Sequence, residues 1–428
     1  MPFTFEAFQN RNLAPDQDRV DAILSLTAGS AAASDSRDVV IGFIVDTSDS
    51  MAGDRIDSVK QAVNQAVKLL DESVSFFVVT FQNEAQVASP VMLATRDNKV
   101  AAAQRLYGLK AYGGTAMSQG LAMARALFAR VPDAIHQAIF LTDGKNESER
   151  ARDVTAELER CAGQFECDCW GVGTDWKVGE VQEIARALLG KASLIPDPSG
   201  IQAAFGAAVQ KAQAKAIKDV RLRLWTPVGT AVVFCKQVNP TIEDLTQKAM
   251  PVSAQVREYF TGTWASGEAR DYHVSLRVKP GRIGEEMLAG RSSLVYQQAG
   301  AGGWVEQEEK SPAGRMFATW TADDALSSRQ DDHVAHYTGQ DELAQAIQQG
   351  LQKREQGDEV AATQLLGRAV QLAHQSDNPE MTTRLKKVVD VIDAGQGTVR
   401  LKRNVSKEAQ MDLELESTTT RRTRKPAS

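Results

Sequence analysis

The sequence predicts an α/β doubly wound, Rossmann-like domain inserted in an antiparallel β-sandwich and followed by a small C-terminal helical bundle. Three patterns carry that expectation. Residues 39–45 form a continuous apolar run, as a strand buried on both faces requires, and strand-like runs then alternate with 3.6-residue apolar stripes as far as residue 215. Beyond that point, six stretches alternate apolar and polar residues between Gly and Pro turns. After residue 338 the spacing becomes helical again.

In chain order, residues 3–9 and 19–27 largely alternate as half-buried strands do. A lone two-stranded hairpin is marginal in water, so segment 1–30 is expected to pair with the sandwich. Residues 28–37 are small and polar and read as a linker. The α/β domain, 38–215, then reads as strand 39–45, helix 55–70 with its stripe Ile56, Val59, Val63, Val67 and Leu70, and strand 74–81. Helices 99–109 and 117–131, strand 137–141, helix 149–162, strand 165–172, helix 178–189, a short strand 192–195 and a closing helix 201–212 follow. The sandwich, 216–335, takes strands at 220–225, 231–235, 254–259, 270–278, 293–296 and 315–320. The bundle, 338–395, is read from Leu343, Ile347 and Leu351, then Val360 to Leu372, then Leu385, Val388, Val389 and Ile392, with breaks at Gly357 and at residues 377–379. Segment 396–428 is a strand followed by a flexible tail in which Thr418, Thr419, Thr420 and Thr423 lie among Arg and Lys, an arrangement that suits phosphorylation.

Composition narrows the function. A net charge of −6 over 428 residues offers no basic surplus for nucleic acid. The amino terminus lacks a basic and apolar leader, and no apolar run approaches the ~20 residues of a membrane span, so a cytoplasmic location is expected. Cys161, Cys167, Cys169 and Cys235 match no zinc spacing and read as reduced core thiols. No phosphate-binding Gly-rich loop ending in Lys-Ser/Thr occurs, and Gly171-x-Gly173 is followed by Trp176 where a dinucleotide fingerprint needs its third glycine. The five histidines are scattered; the nearest pair, His333 and His336, reads as structural.

The apolar run 39–45 ends in Asp46, Ser48 and Ser50, oxygen side chains at every second position, which in extended backbone converge past the carboxyl end of the strand. Two further loops offer oxygen to the same sheet edge: Thr115 after the paired Gly113 and Gly114, and Asp143 in Leu-Thr-Asp-Gly. Without His or Cys, such a set suits a hard cation, which takes oxygen ligands at roughly 2.0–2.1 Å when it is magnesium. An Asp ending a first strand can also be a nucleophile in phosphoryl transfer, but the second Asp expected two residues on is Ser48.

Asp46-x-Ser48-x-Ser50, Thr115 and Asp143 together resemble the metal-ion-dependent adhesion site of the von Willebrand factor type A domain, with all five positions in order. The resemblance implies that Ser48, Ser50 and Thr115 give hydroxyl oxygens directly to a divalent cation while Asp46 and Asp143 hold it largely through water. Mg²⁺ is the expected ion, with Mn²⁺ and Ca²⁺ as alternatives. It further implies a binding protein and no enzyme, with the cation capturing an Asp or Glu of a protein partner. The whole layout resembles bacterial cytoplasmic proteins that occur beside Ser/Thr kinases, phosphatases and forkhead-associated domains, which makes a phosphothreonine reader or a kinase an expected partner of the tail. The alternatives are a phosphohydrolase using Asp46 and a scaffold whose metal site is vestigial.

Overall fold

In the computed structural model, which describes residues 3–29, 38–300 and 303–423, strand Val39–Asp46 is buried along its whole length and lies between Ser75–Phe81 and Ile135–Thr142, parallel to both. Glu166–Val172 and Ala192–Ile195 extend the parallel sheet on the Ile135–Thr142 side. Alternate residues of the central strand feed two cores. Ile41, Phe43 and Val45 meet Val59 and Val63 of helix Asp54–Leu69 and Phe205 and Val209 of helix Ile201–Gln213. Val40 and Ile44 face Leu121, Leu158 and Ile184, from helices Met117–Phe128, Ala151–Cys161 and Val178–Ala187. Burying each such side chain stabilises the fold by about 1.5–3 kcal/mol. This two-sided burial is why the run reads as continuous rather than alternating. Gly42 is the exception to bulk in that run, because a Cβ there would lie 2.3 Å from the Phe77 ring.

The far edge of this sheet is strand Ala85–Leu93, antiparallel to Ser75–Phe81, which the sequence pattern did not indicate. It is an edge strand of mixed polarity containing Pro90, so neither face writes a clean period.

Strands Phe3–Gln9 and Arg19–Ala28 pair with each other, and the latter pairs antiparallel with Ala269–Arg277, which continues to Ala231–Asn239. A second antiparallel sheet carries Val256–Ala265, Lys215–Trp225, Glu286–Gly300 and Gly303–Trp320. The two sheets share one core, with Leu24, Leu26, Tyr272 and Val274 from the first and Leu222, Leu224, Leu294 and Met316 from the second. The α/β domain therefore leaves from a strand of one sheet and returns through a strand of the other. Of the segment read as a linker, residues 30–37 lie outside the described residues.

Helices Asp332–Glu355, Glu359–Gln375 and Pro379–Val388 follow. The third is shorter than its stripe suggests. Val389, Val391 and Ile392 belong to strand Val389–Asp393, which pairs with Thr398–Leu401, in keeping with the stiffness of β-branched side chains at χ1. The flexible tail is also corrected. Residues 407–416 form helix Lys407–Glu416, capped by Ser406, whose Oγ accepts from the Ala409 amide at 3.1 Å. Met411 and Leu415 of this helix enter one core of the α/β domain while Leu413 enters the helical core. The Thr418 carbonyl accepts from the Ile242 amide at 2.8 Å, and the Thr420 hydroxyl is buried, donating to the Val238 carbonyl at 2.6 Å. Arg422 then pairs with the buried Asp271 at 2.7 Å. Thr418, Thr419 and Thr420 are thus part of the folded body, and Thr423 is half-buried; residues 424–428 lie outside the described ones. Among the described residues no helix is long and apolar enough to cross a membrane.

Candidate functional site

The carboxyl ends of Val39–Asp46 and Ile135–Thr142 are neighbours in the sheet, so the loops that follow them open side by side, as open α/β sheets arrange their ligand crevices. Asp46 and Asp143 sit there with 0% exposure, and Ser48 and Thr115 are also buried. Extended backbone does not continue through the first loop, contrary to the simple alternation read from the sequence. After Ser48 the chain enters a 3₁₀ turn, Asp49–Met51, and Ser50 reaches the cluster from that turn.

Hydrogen bonds tie the cluster together. The Ser48 amide donates to Asp46 Oδ1 at 2.8 Å, and the Thr142 hydroxyl donates to Asp46 Oδ2 at 2.5 Å. Ser48 Oγ lies 3.0 Å from Ser50 Oγ, and Ser50 Oγ donates to Asp143 Oδ1 at 2.6 Å. Gly144 marks the centre: a Cβ there would sit 3.0 Å from Thr115 Oγ1, 3.2 Å from Ser50 Oγ and 3.8 Å from Asp46 Oδ2. All five sequence-selected side chains therefore meet in one cradle.

The double-glycine loop is positioned from both sides. The Asp49 amide donates to the Gly113 carbonyl, and the Tyr112 amide to the Thr47 carbonyl, each at 2.9 Å. Gly113 has φ +79°, and Gly114 approaches Ser148 so closely that a Cβ would fall 1.9 Å from its Oγ. That Oγ accepts from the Thr115 amide at 2.8 Å, fixing Thr115 at the mouth of helix Met117–Phe128.

Burial dominates the electrostatics. It pushes the Asp46 carboxyl up to about 6, with neighbouring Asp143 adding to the rise and the hydrogen bonds from Ser48 and Thr142 opposing it. Two acids held so close and so dry favour a cation between or beside them. Among the described residues no group of three or more His, Cys, Asp or Glu gathers to hold a metal, so the donor set is two carboxyls and three hydroxyls. That chemistry fits a hard, oxygen-preferring divalent ion.

Sequence reasoning missed two participants. Thr142 was visible beside Asp143 in Leu-Thr-Asp-Gly. Arg55 was not: its Nη1 lies 2.5 Å from Asp143 Oδ2 and its Nη2 3.3 Å from Asp175 Oδ2, contacts across 88 and 120 residues of chain. Elsewhere, His333 stacks on Phe8 with centroids 3.6 Å apart, and His336 Nε2 lies 2.8 Å from the Arg421 carbonyl, so the pair is structural. All four cysteines are free and buried, and burial pushes the Cys161 thiol up to about 12.

A family model described as the von Willebrand factor type A domain matches residues 38–194, and one described as the von Willebrand factor type A C-terminal domain matches residues 371–417. A solved structure of a von Willebrand factor type A protein from Catenulispora acidiphila is 38% identical, with a TM-score of 0.91, covering 99% of this chain and 97% of that one. The ArnB paralog VWA2 from Sulfolobus acidocaldarius, at 14% identity and a TM-score of 0.62 over 98% of this chain and 99% of that one, is similar in fold. A Synechocystis sp. protein is 27% identical over 220 residues, half of this chain and 52% of that protein. Human inter-alpha-trypsin inhibitor heavy chain H4 is 26% identical over 216 residues, 48% of this chain and 22% of that protein, so the matched region spans about half of the first of these relatives and about a fifth of the second.

Proposed function

The chain belongs to the von Willebrand factor type A family, and from that membership we propose that it is a divalent-cation-dependent protein-interaction module. Its partner is a protein presenting an Asp or Glu to the metal site. Its setting is an intracellular bacterial assembly or a signalling system that includes kinases and phosphatases. The observation that carries the reading is the convergence of Ser50, Thr115 and Asp46 oxygens on Gly144, with Ser48 and Asp143 hydrogen-bonded to Ser50.

When bound, Mg²⁺ supplies a positive centre that attracts a carboxylate. Ser48, Ser50 and Thr115 would hold it through neutral oxygens, which leave most of its charge available to a ligand. In the metal-free chain Thr142 holds Asp46 in place, and Ser50 and Arg55 hold Asp143. The chain is read as a binder rather than an enzyme because both oxygens of Asp46 are engaged and the side chain is fully buried, a poor disposition for nucleophilic attack.

The experiment is a pull-down from native extract with the tagged full chain, in Mg²⁺ and in chelator. Partners should be retained in Mg²⁺ and lost with chelator, with Ser48→Ala or with Asp143→Ala. Equal recovery under all four conditions refutes the reading, and hydrolysis of a generic phosphoester that disappears in Asp46→Asn would replace it with phosphohydrolase chemistry.

A further inference from the structure

Arg55 is the second residue of helix Asp54–Leu69, and its guanidinium lies between two acids of opposite surroundings. On the inner side Nη1 meets Asp143, whose side chain is fully buried; on the outer side Nη2 meets Asp175, whose side chain is 65% exposed. Nη1 also lies 3.4 Å from the Ser50 carbonyl, on the very turn that delivers the Ser50 hydroxyl. The guanidinium therefore borders the oxygen cradle and shares an acid with it.

We propose that Arg55 is a built-in counter-cation of the metal site, neutralising Asp143 in the metal-free chain and yielding toward Asp175 when a divalent ion enters, so that it sets the affinity at which the site loads. This rests on the metal-binding reading above. Two desolvated acids in one crevice are costly without a compensating charge, and Arg55 is the cation that meets Asp143. An ion seated among the Ser48, Ser50 and Thr115 hydroxyls brings a second positive charge to the same acid, and like charges in a partly buried site are poorly screened. The move asked of Arg55 is small. It exchanges one carboxylate for another that it already touches, so Asp175 acts as the seat for the displaced guanidinium.

The test measures Mn²⁺ uptake by the full chain, by calorimetry and by the loss of the free-ion electron paramagnetic signal, in wild type, Arg55→Ala, Arg55→Lys, Asp175→Ala and the Arg55→Ala/Asp175→Ala pair. Arg55→Ala should bind Mn²⁺ about tenfold more tightly, the order expected from removing one like charge at close range. Its metal-free thermal midpoint should fall while its Mn²⁺-induced rise grows. Asp175→Ala should bind several-fold more weakly, and the double variant should match Arg55→Ala, because Asp175 acts only through the arginine. Unchanged or weaker Mn²⁺ binding in Arg55→Ala overturns the proposal while leaving the metal site standing. No Mn²⁺ uptake by wild type or any variant overturns both. Should Arg55→Ala fail to fold, weaker Mn²⁺ binding in Asp175→Ala than in wild type carries the proposal, and equal affinities in the two sink it.

Discussion

Replacing Asp46 by Asn separates the acid's electrostatic burden from its role in the site. The carboxyl is fully buried, and burial raises it from an ordinary 3.8 to about 6. A rise of that size corresponds to about 3 kcal/mol at 1.36 kcal/mol per pH unit. The sign follows from which form the fold prefers. A raised carboxyl favours the protonated state, so in the metal-free chain the stability it contributes is present below about pH 4 and is lost as pH climbs through 6. Asn carries no charge at any pH and escapes this loss. Without metal at pH 8, Asp46→Asn should therefore be more stable than wild type by up to about 3 kcal/mol, which for an α/β domain of this size is up to about 6–12 °C in thermal midpoint. At pH 4 the advantage should vanish. With Mg²⁺ added the order should reverse, because wild type gains the ion's binding energy and the variant does not. Calorimetric scans in chelator and in Mg²⁺ at the two pH values check all of this. A variant that is less stable than wild type in chelator at pH 8, or whose gain persists unchanged at pH 4, refutes the electrostatic argument.

Thr115→Val keeps the shape of the side chain and removes the hydroxyl, so Mg²⁺ uptake in titration calorimetry should be abolished while the metal-free unfolding free energy changes by no more than about 1 kcal/mol. Gly42→Ala places a methyl within 2.3 Å of the Phe77 ring in the central sheet and should cost about 1–3 kcal/mol in urea unfolding, whatever the metal. Arg422→Ala leaves the buried Asp271 without its guanidinium, and amide exchange across residues 407–423 should quicken while the sheet around Asp46 keeps its protection.

Sheet elements were legible in proportion to how completely they are buried. Strand Val39–Asp46 declares itself because both faces meet helices, whereas Ala85–Leu93, an edge strand with several exposed side chains, does not. Met411, Leu413 and Leu415 recur at every second residue and look strand-like; they form a helix because the chain sets them against two different cores at once. The polar surroundings of these residues hid their burial. In the site, the five oxygen-bearing residues could be selected because each lies at or just past the end of a strand or just ahead of a helix, positions that local pattern marks.

Local order thus decided which residues arrive at the sheet edge: apolar periodicity determines where strands stop, and oxygen side chains placed at those stops have nowhere else to point. Tertiary structure decided how they meet. Ser50 arrives by a 3₁₀ turn rather than an extended strand, and Gly144 is small enough to leave the cradle open. Above all, Arg55 joins Asp143 and Asp175 across contacts that no local spacing encodes, because a charge finds its partner through space and the separation along the chain carries no trace of it.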